Sequence, residues 1–356
     1  MKCDEVFIWD RLKRETRPIV LYGTGNGAEK LIAKAKYFGV KISDIFASDG
    51  FVRNRDFMGY PVRSFGDIKH KYKEFICLLG FAAGSPELIS QIKSIAYECS
   101  EFFVPEVPVF GEDIFTPEML DLNSDKLDTL YEMLADEQSK KVFRGLIDYK
   151  ISGKPQYLYD IETPREEIFD SIFTFRKDEV YYDLGAFTGD TVEEFVENTG
   201  NSYRHIIAVE PAPKNYERLI SFIKEKKLEK ITPKNVAVSG ERQTVRFSEK
   251  GGRNPFISEK GKIEVESLTL PELSELLPSY IKMDIEGAEY ETLLAGAEII
   301  KKAKPKLNIS VYHRTTDFFE IPLYIKSLSP DYALYLRHHT YLPAWDTDLY
   351  ASVIKK

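Results

Sequence analysis

The chain has 356 residues and 41.0 kDa, 43% of them apolar and 30% charged, and its 49 basic against 57 acidic side chains leave a net charge of −8. At roughly 100–200 residues per domain this is a chain of two domains, or at most three, apolar enough to bury a core and therefore not disordered as a whole. The absence of any basic run excludes tight non-specific binding to nucleic acid, which needs clustered cations on phosphates, and the longest charge-free stretch, residues 75–86, has 12 residues where a membrane span needs about 20.

The N-terminus, MKCDEVFIWD, has no apolar signal-peptide core. Cys3, Cys77 and Cys99 are too few and too scattered for a disulfide framework or a zinc site. The expectation is a cytoplasmic protein of a reducing compartment. The 21 tyrosines and 23 phenylalanines predict an aromatic-rich core, although aromatic faces also suit sugars and bases.

In chain order, the first periodic unit is the apolar run Ile19-Val20-Leu21-Tyr22, followed by Gly23-Thr24-Gly25-Asn26-Gly27-Ala28 and a helical pattern to Phe38. This is a strand–turn–helix signal. Strands over 45–49 and 75–80, with a helix from Glu87, extend it to a parallel α/β domain over residues 1–115. Gly23, Gly25 and Ala28 match a dinucleotide fingerprint, with Asp44 or Asp49 near the distance expected of a ribose-binding carboxylate. A nucleotide or nucleotide-sugar site and a structural or dimerising domain, hence a homo-oligomer, both fit. No hydride-transfer constellation such as Tyr-x-x-x-Lys follows, which argues against an oxidoreductase.

Residues 116–156 differ. Thr116-Pro117 reads as a cap and first helical position, and Leu127, Leu130, Leu134, Val142, Phe143, Leu146 and Ile147 recur at helical spacing. One or two amphipathic helices joining the domains are expected, broken at Ser152-Gly153-Lys154-Pro155. A second α/β domain over 157–356 follows, with strands predicted at 180–183, 205–210, 234–238, 279–284 and 307–313. Two further strands, 333–337 and 349–354, lack a long helix between them and are expected to pair as an antiparallel hairpin. The fold class is therefore α/β, with two Rossmann-like domains.

The sharpest motif is Tyr182-Asp183-Leu184-Gly185-Ala186-Phe187-Thr188-Gly189-Asp190-Thr191, between a strand and a helix. Gly185 and Gly189 let backbone pass close to a ligand, and the helix start supplies amide donors. Glu210 ends the next strand, 25 residues after Gly185, where a carboxylate can accept ribose hydroxyls. Position 187 is Phe where a pyrophosphate turn wants Gly, and Asp183 and Asp190 flank the turn. Carboxylates repel pyrophosphate but attract an amino group or a sulfonium, so the turn favours S-adenosylmethionine over NAD; a plain sheet turn is the alternative. Asp183, Glu210, Asn235 and Asp284 all fall at carboxyl ends of strands, the edge where open α/β sheets bind ligands, unless they merely cap helices.

These segments, together with 209–215, 235–239, Lys282-Met283-Asp284-Ile285-Glu286-Gly287-Ala288-Glu289, 304–307, Ile309-Ser310-Val311-Tyr312-His313 and Tyr335-Leu336-Arg337-His338-His339, resemble the FkbM-type methyltransferases. The resemblance covers about 180–350. Where the family often has Thr/Ser-Leu-Asp-Glu-Leu, this chain reads Ser267-Leu268-Thr269-Leu270-Pro271-Glu272-Leu273, without the first acidic residue. The resemblance implies a class I, S-adenosylmethionine-dependent sheet in the second domain and an O-methyltransferase acting on a sugar hydroxyl of a glycan or sugar conjugate. The cofactor would be held by Asp183, Gly185, Ala186, Gly189, Asp190, Thr191, Glu210, Pro211, Asn235 and Asp284. A non-catalytic nucleotide-sugar-binding protein with a degenerate methyltransferase domain, or an NAD(P)-dependent epimerase or dehydrogenase, are the competing readings.

A hydroxyl is a weak nucleophile, so a base is expected. His313, ending the fifth strand on the same edge as Asp284 and titrating near neutrality, is the first candidate, with Asp284 orienting the acceptor or acting as base itself. Asp284, Glu286 and His313 together offer Mg²⁺ a possible site. His338 and His339, facing opposite ways on a strand, supply a secondary base, and Gly251-Gly252-Arg253-Asn254-Pro255 a mobile lid or an ordinary loop.

Overall fold

The computed structural model describes residues 1–48, 50, 56–248, 256–257 and 263–353, and these fall into two compact units. The first comprises residues 1–131, 138–163 and 338–346, the second 132–137, 164–337 and 347–356.

In the first unit, β1 (Ile19–Tyr22), β2 (Asp44–Phe46), β3 (Asp56–Phe57), β4 (Tyr60–Arg63), β5 (Ile76–Leu79) and β6 (Glu101–Phe103) form one sheet in the order β3-β4-β2-β1-β5-β6. Every pair is parallel except β3–β4. β1 and β5 are buried at every position, as strands covered on both faces must be. The glycine turn after β1 leads into the helix Asn26–Phe38. A Cβ on Gly27 would lie 2.7 Å from the Gly80 carbonyl oxygen, so this glycine sets how closely the helix packs on β5.

Asp44 does not take the ribose-binding place expected of it. It opens β2, the end of the strand away from the glycine turn, and its carboxylate is buried against Arg63 Nε (2.8 Å), Lys71 Nζ (2.7 Å) and the Tyr72 hydroxyl. Those three partners hold the carboxyl below its ordinary range in spite of its burial. Asp49, the other candidate, and the glycine-rich stretch 251–255 lie outside the described residues.

The segment read as a helical join forms Pro117–Leu122, Ser124–Met133 and Glu137–Ser152, and the Thr116 hydroxyl caps the first by accepting from Met119 N. Apart from residues 132–137 these helices group with the first unit. One physical reason is the buried ion pair of Lys150, near the end of the third helix, with Glu106.

The second unit carries β7 (Val180–Leu184), β8 (His205–Val209), β9 (Ile231–Lys234), β10 (Ala237–Val238), β11 (Gln243–Ser248), β12 (Phe256–Ile257), β13 (Ile263–Leu268), β14 (Tyr280–Met283), β15 (Lys306–Ser310), β16 (Tyr332–His338) and β17 (Thr347–Val353). Seven of them form a sheet in the order β16-β17-β15-β14-β7-β8-β9. β14, β15, β7, β8 and β9 run parallel and β17 antiparallel to β15. β16 and β17 are consecutive neighbours, the C-terminal hairpin that the missing helix predicts. The strand expected at 234–238 is in fact two: β9 ends at Lys234 in the main sheet, and β10 pairs with β13 in a second sheet, order β10-β13-β11-β12. The two strands of the antiparallel ladder of β11 on β13 are not among those predicted above, although Thr244-Val-Arg and Glu264-Val-Glu alternate with the period of two that marks a strand with one solvated face.

The core on one face of the main sheet is aromatic. Tyr181 on β7 and its register partner Tyr280 on β14 stack with ring centroids 4.6 Å apart, and Phe195, Phe173 and Tyr350 pack around them. At the amino end of β7, the wholly buried Glu179 accepts from Lys306 Nζ (2.6 Å), Arg176 N (2.9 Å) and the Ser279 hydroxyl, joining the bases of β7, β14 and β15. Removing one member of a buried pair leaves the other charge uncompensated. Glu179→Ala is therefore expected to lower unfolding stability by about 3–5 kcal/mol in denaturant titration, and Glu179→Leu combined with Lys306→Met to recover most of that loss.

Candidate active site

The carboxyl ends of β7, β8 and β14 bring the predicted residues together. Because β7 and β14 pair in parallel with Asp183 opposite Lys282 and Tyr181 opposite Tyr280, the alternation that buries the stacked tyrosines puts Asp183 and Lys282 one step above them on the same face. Asp183 is fully buried. Its Oδ2 accepts from the Thr191 hydroxyl at 2.6 Å, and Lys282 Nζ lies 3.8 Å from Oδ1. Burial raises the Asp183 carboxyl above its ordinary range, against the lowering by Lys282 and Thr191. Lys282 Nζ also donates to the Gly185 carbonyl at 3.0 Å and stands 4.0 Å from Asp284 Oδ2. Burial would lower this ammonium, but Asp183, Asp284, Asp190 and Asp348 outweigh it and keep the side chain charged. Lys282 has no role assigned from the motif alone. The available signal was a lysine in the middle of an apolar strand, where a charge needs partners.

The turn itself is built from backbone. Gly185 N and Ala186 N both donate to the Val209 carbonyl, Phe187 N donates to Glu210 Oε2 (3.0 Å), and Gly189 N to the Ala186 carbonyl. Gly185 has φ +88°, and a Cβ there would lie 2.0 Å from the Asp284 carbonyl oxygen, so only glycine lets β7 and β14 end this close together. Gly189, at φ +104°, faces the Phe222 ring. Asp190 opens the helix Asp190–Asn198 and is exposed.

Glu210 is 6% exposed. It accepts from Ala212 N (2.8 Å) as well as Phe187 N, which fixes the carboxylate against the turn. Burial pushes its pKa up to about 7, against the lowering effect of those two amides, Asn215 and Lys282. Asn235, expected at an adenine edge, donates both amide hydrogens to main chain, to the Glu210 carbonyl (2.8 Å) and the Pro211 carbonyl (3.0 Å). It shapes the loop after β8.

Asp284, with a side chain 34% exposed, sits 3.3 Å through Oδ1 from Nε2 of His313, and Glu286 Oε2 is 3.7 Å from the same nitrogen. Glu286 takes φ +57° ahead of Gly287 at φ +97°, the turn that swings its carboxylate back toward Asp284. His313 lies three residues past the end of β15 and is fully buried. Its Nδ1 is 2.8 Å from Oε1 of Glu289, itself buried and held by Ile285 N. Burial would lower the His313 pKa, but Glu289, Asp284 and Glu286 raise it to about 10. A ring already protonated takes no further proton, so this environment does not suit the general base expected from an unperturbed histidine. Asp284, Glu286 and His313 each present an atom within 4.8 Å of the others, a group able to hold a cation.

His338 and His339 group with residues 338–346 in the first unit. His338 is buried and its pKa pushed down to about 3, by burial first and then by His339; His339 Nδ1 pairs with the Thr163 carbonyl at 2.8 Å.

Residues 183–343 match the sequence profile of the methyltransferase FkbM domain. The chain is similar in structure to the methyltransferase FkbM from Methylobacillus flagellatus KT, with TM-score 0.73 and 22% identity over 96% of this chain and 92% of that one. A weaker likeness, TM-score 0.35 and 10% identity over 50% of this chain and 89% of the other, links it to an rRNA methylase from Streptococcus thermophilus. No curated protein matches. Among the described residues, no helix is long and apolar enough to cross a membrane.

Gly185→Ala tests the construction of the turn. Overpacking against a main-chain oxygen and a positive φ on a residue with a Cβ each cost about 1–3 kcal/mol. The variant is expected to lose about 2–6 kcal/mol of stability, read by thermal or denaturant unfolding, whereas Gly200→Ala, with φ +56° and open space around it, has only the backbone part.

Proposed function

We propose that this S-adenosylmethionine-dependent methyltransferase, whose residues 183–343 form a methyltransferase FkbM domain, transfers its methyl group to a hydroxyl, and that the hydroxyl belongs to a sugar in a glycan or sugar conjugate. The observation that carries the reading is Asp284. It is a partly exposed carboxylate at the end of β14, fixed beside the Gly185 turn by its own backbone amide, which donates to the Leu184 carbonyl. The sugar is supported by the polar wall around it, Glu286 and the Tyr312 hydroxyl 3.5 Å from Asp284 Oδ1, and by the resemblance carried by the motifs.

When bound, S-adenosylmethionine supplies a methyl group on a cationic sulfur. The turn 185–189 gives a close backbone surface for it, and Glu210 offers the ribose hydroxyls a carboxylate already aimed by two amides. Asp190, exposed at the helix start, and Asp183, buried beneath the turn, give this edge the negative potential that a sulfonium and an ammonium prefer. The acceptor hydroxyl lies against Asp284. Asp284 is placed to take the acceptor's proton as the oxygen gains the methyl group, for which the bound cofactor would supply a neutral thioether as leaving group. Lys282 and His313 hold Asp284 in place from either side. Effective molarity in such a site supplies roughly 7–11 kcal/mol of the barrier, and the base a further factor of about 10²–10⁴.

Two measurements follow. Asp284→Asn is expected to lower turnover with a glycan acceptor about a hundredfold or more while leaving S-adenosylhomocysteine affinity within a few-fold of the parent, by calorimetry; turnover above a tenth of the parent overturns the base. For the cofactor, ribose hydroxyls are bound by the ionised Glu210, whose pKa in the free protein is about 7. Affinity for S-adenosylhomocysteine is therefore lost as pH falls through 7, about tenfold between pH 8 and pH 6. Glu210→Gln should be weaker at pH 8, by the about 1–3 kcal/mol of an unmet buried partner, and should show no such pH dependence.

A further inference from the structure

We propose that Asp284, Glu286 and His313 form a binding site for one divalent transition-metal ion, of the Mn²⁺ or Zn²⁺ type. The geometry is that of atoms arranged around a shared ion. His313 Nε2 is 3.3 Å from Asp284 Oδ1 and 3.7 Å from Glu286 Oε2. Nitrogen–oxygen hydrogen bonds favour about 2.9 Å, whereas donors bound about 2.1 Å from one ion at tetrahedral or octahedral angles stand ~3.0–3.4 Å apart; the Asp284 distance falls in that range and the Glu286 distance a few tenths of an ångström beyond it. The second observation is independent of the carboxylates. His313 is wholly buried, and its Nε2, aimed between them, makes no hydrogen bond among the described residues. A buried ring nitrogen left so is expected to have a partner, and the space it faces is bounded by two carboxylate oxygens.

The surroundings complete the arrangement. On the far side of the ring, Nδ1 is 2.8 Å from Glu289 Oε1. Glu289 is fully buried and anchored by Ile285 N, as the outer carboxylate behind a metal-bound histidine commonly is. The turn at Glu286 and Gly287, both at positive φ, is the backbone irregularity that folds the second carboxylate toward the first. A mixed imidazole and carboxylate set suits Mn²⁺ or Zn²⁺ better than Mg²⁺, which keeps oxygen ligands and water. Three protein donors leave positions open on the side where Asp284 and Glu286 reach solvent, 34% and 21% exposed. Those positions fit two neighbouring oxygens of a polyhydroxylated acceptor. That use of the ion rests on the sugar-hydroxyl reading; the binding of the ion does not.

The test is titration of the metal-stripped full chain with MnCl₂, followed by the electron paramagnetic resonance signal of free Mn²⁺, with ZnCl₂ and MgCl₂ as competitors. The expected result is one ion per chain, displaced by Zn²⁺ and poorly by Mg²⁺, with affinity at least tenfold weaker in Asp284→Asn and in Glu286→Gln and unchanged in Glu291→Gln on the neighbouring helix. His313→Gln is read alongside a thermal melt, because its buried place makes misfolding a competing cause of loss; the two carboxylate variants keep the test decisive. No stoichiometric binding, equal binding in the carboxylate variants, or tighter binding of Mg²⁺ than of Mn²⁺ overturns the site. Methylation of a sugar acceptor by a chain that binds no ion would sink the site and leave the function; ion binding without methylation of any sugar would support the site and sink the acceptor assignment.

Discussion

The second unit turns on one buried charge pair. Lys282 and Asp183 face each other across β14 and β7 in a layer where both neighbours in register below are tyrosines. Asp183 is wholly buried and Lys282 nearly so, so each depends on the other and on what else they can reach. Lys282 finds the Gly185 carbonyl, and Asp183 finds Thr191 at the start of the next helix. The two groups thereby tie the glycine turn to the strand beneath it and to the helix beyond it. A shift of one residue in the β7–β14 register would turn both charges to the opposite face.

Above that pair the site gathers negative charge. Asp284, Glu286 and Glu289 lie within a few ångströms of a single imidazole, and Glu210 is held at the next strand end by two main-chain amides. Like charges so close repel, and their coexistence requires positive charge among them. Lys282 supplies it on one side of Asp284. On the other side it is supplied by His313, as the protonated ring or as the ligand of an ion. Two of the three carboxylates that raise the ring's pKa, Asp284 and Glu286, are those that would hold a metal, and the third, Glu289, stands behind the ring, so the histidine's place in the site is electrostatic in either case.

Both turns at this edge carry backbone strain. Phe187 and Glu286 both take left-handed backbone, at φ +45° and +57°, although neither is glycine. Such conformations persist only where the surroundings over-determine them. Phe187 is fixed by its amide on Glu210, and the turn of Glu286 is held on either side by Ile285 N on Glu289 Oε1 and by Arg314 Nε on the Gly287 carbonyl (2.8 Å). Each turn thus holds a group of the site in a direction that regular strand or helix geometry would not give.

The positions of most main-sheet strands along the chain and the identity of the edge were legible in the sequence, because a parallel sheet writes itself as buried apolar runs, and glycines and carboxylates at their ends mark the ligand side. Asp183, Gly185, Glu210 and Asp284 are local in this sense: each follows directly from where its own strand stops. What the sequence left undecided depends on contacts between distant segments. The second sheet of β10 to β13 follows from the pairing of 243–248 with 263–268. The place of Asp44 depends on which end of β2 faces the glycine turn. The charge of His313 depends on Glu289, 24 positions earlier, and on Asp284 and Glu286, none of which its own surroundings in the chain reveal. Spacing along a chain fixes which residues reach a strand end. The pKa of a buried group and the filling of its hydrogen bonds are set by neighbours that only the tertiary fold brings within about 4 Å.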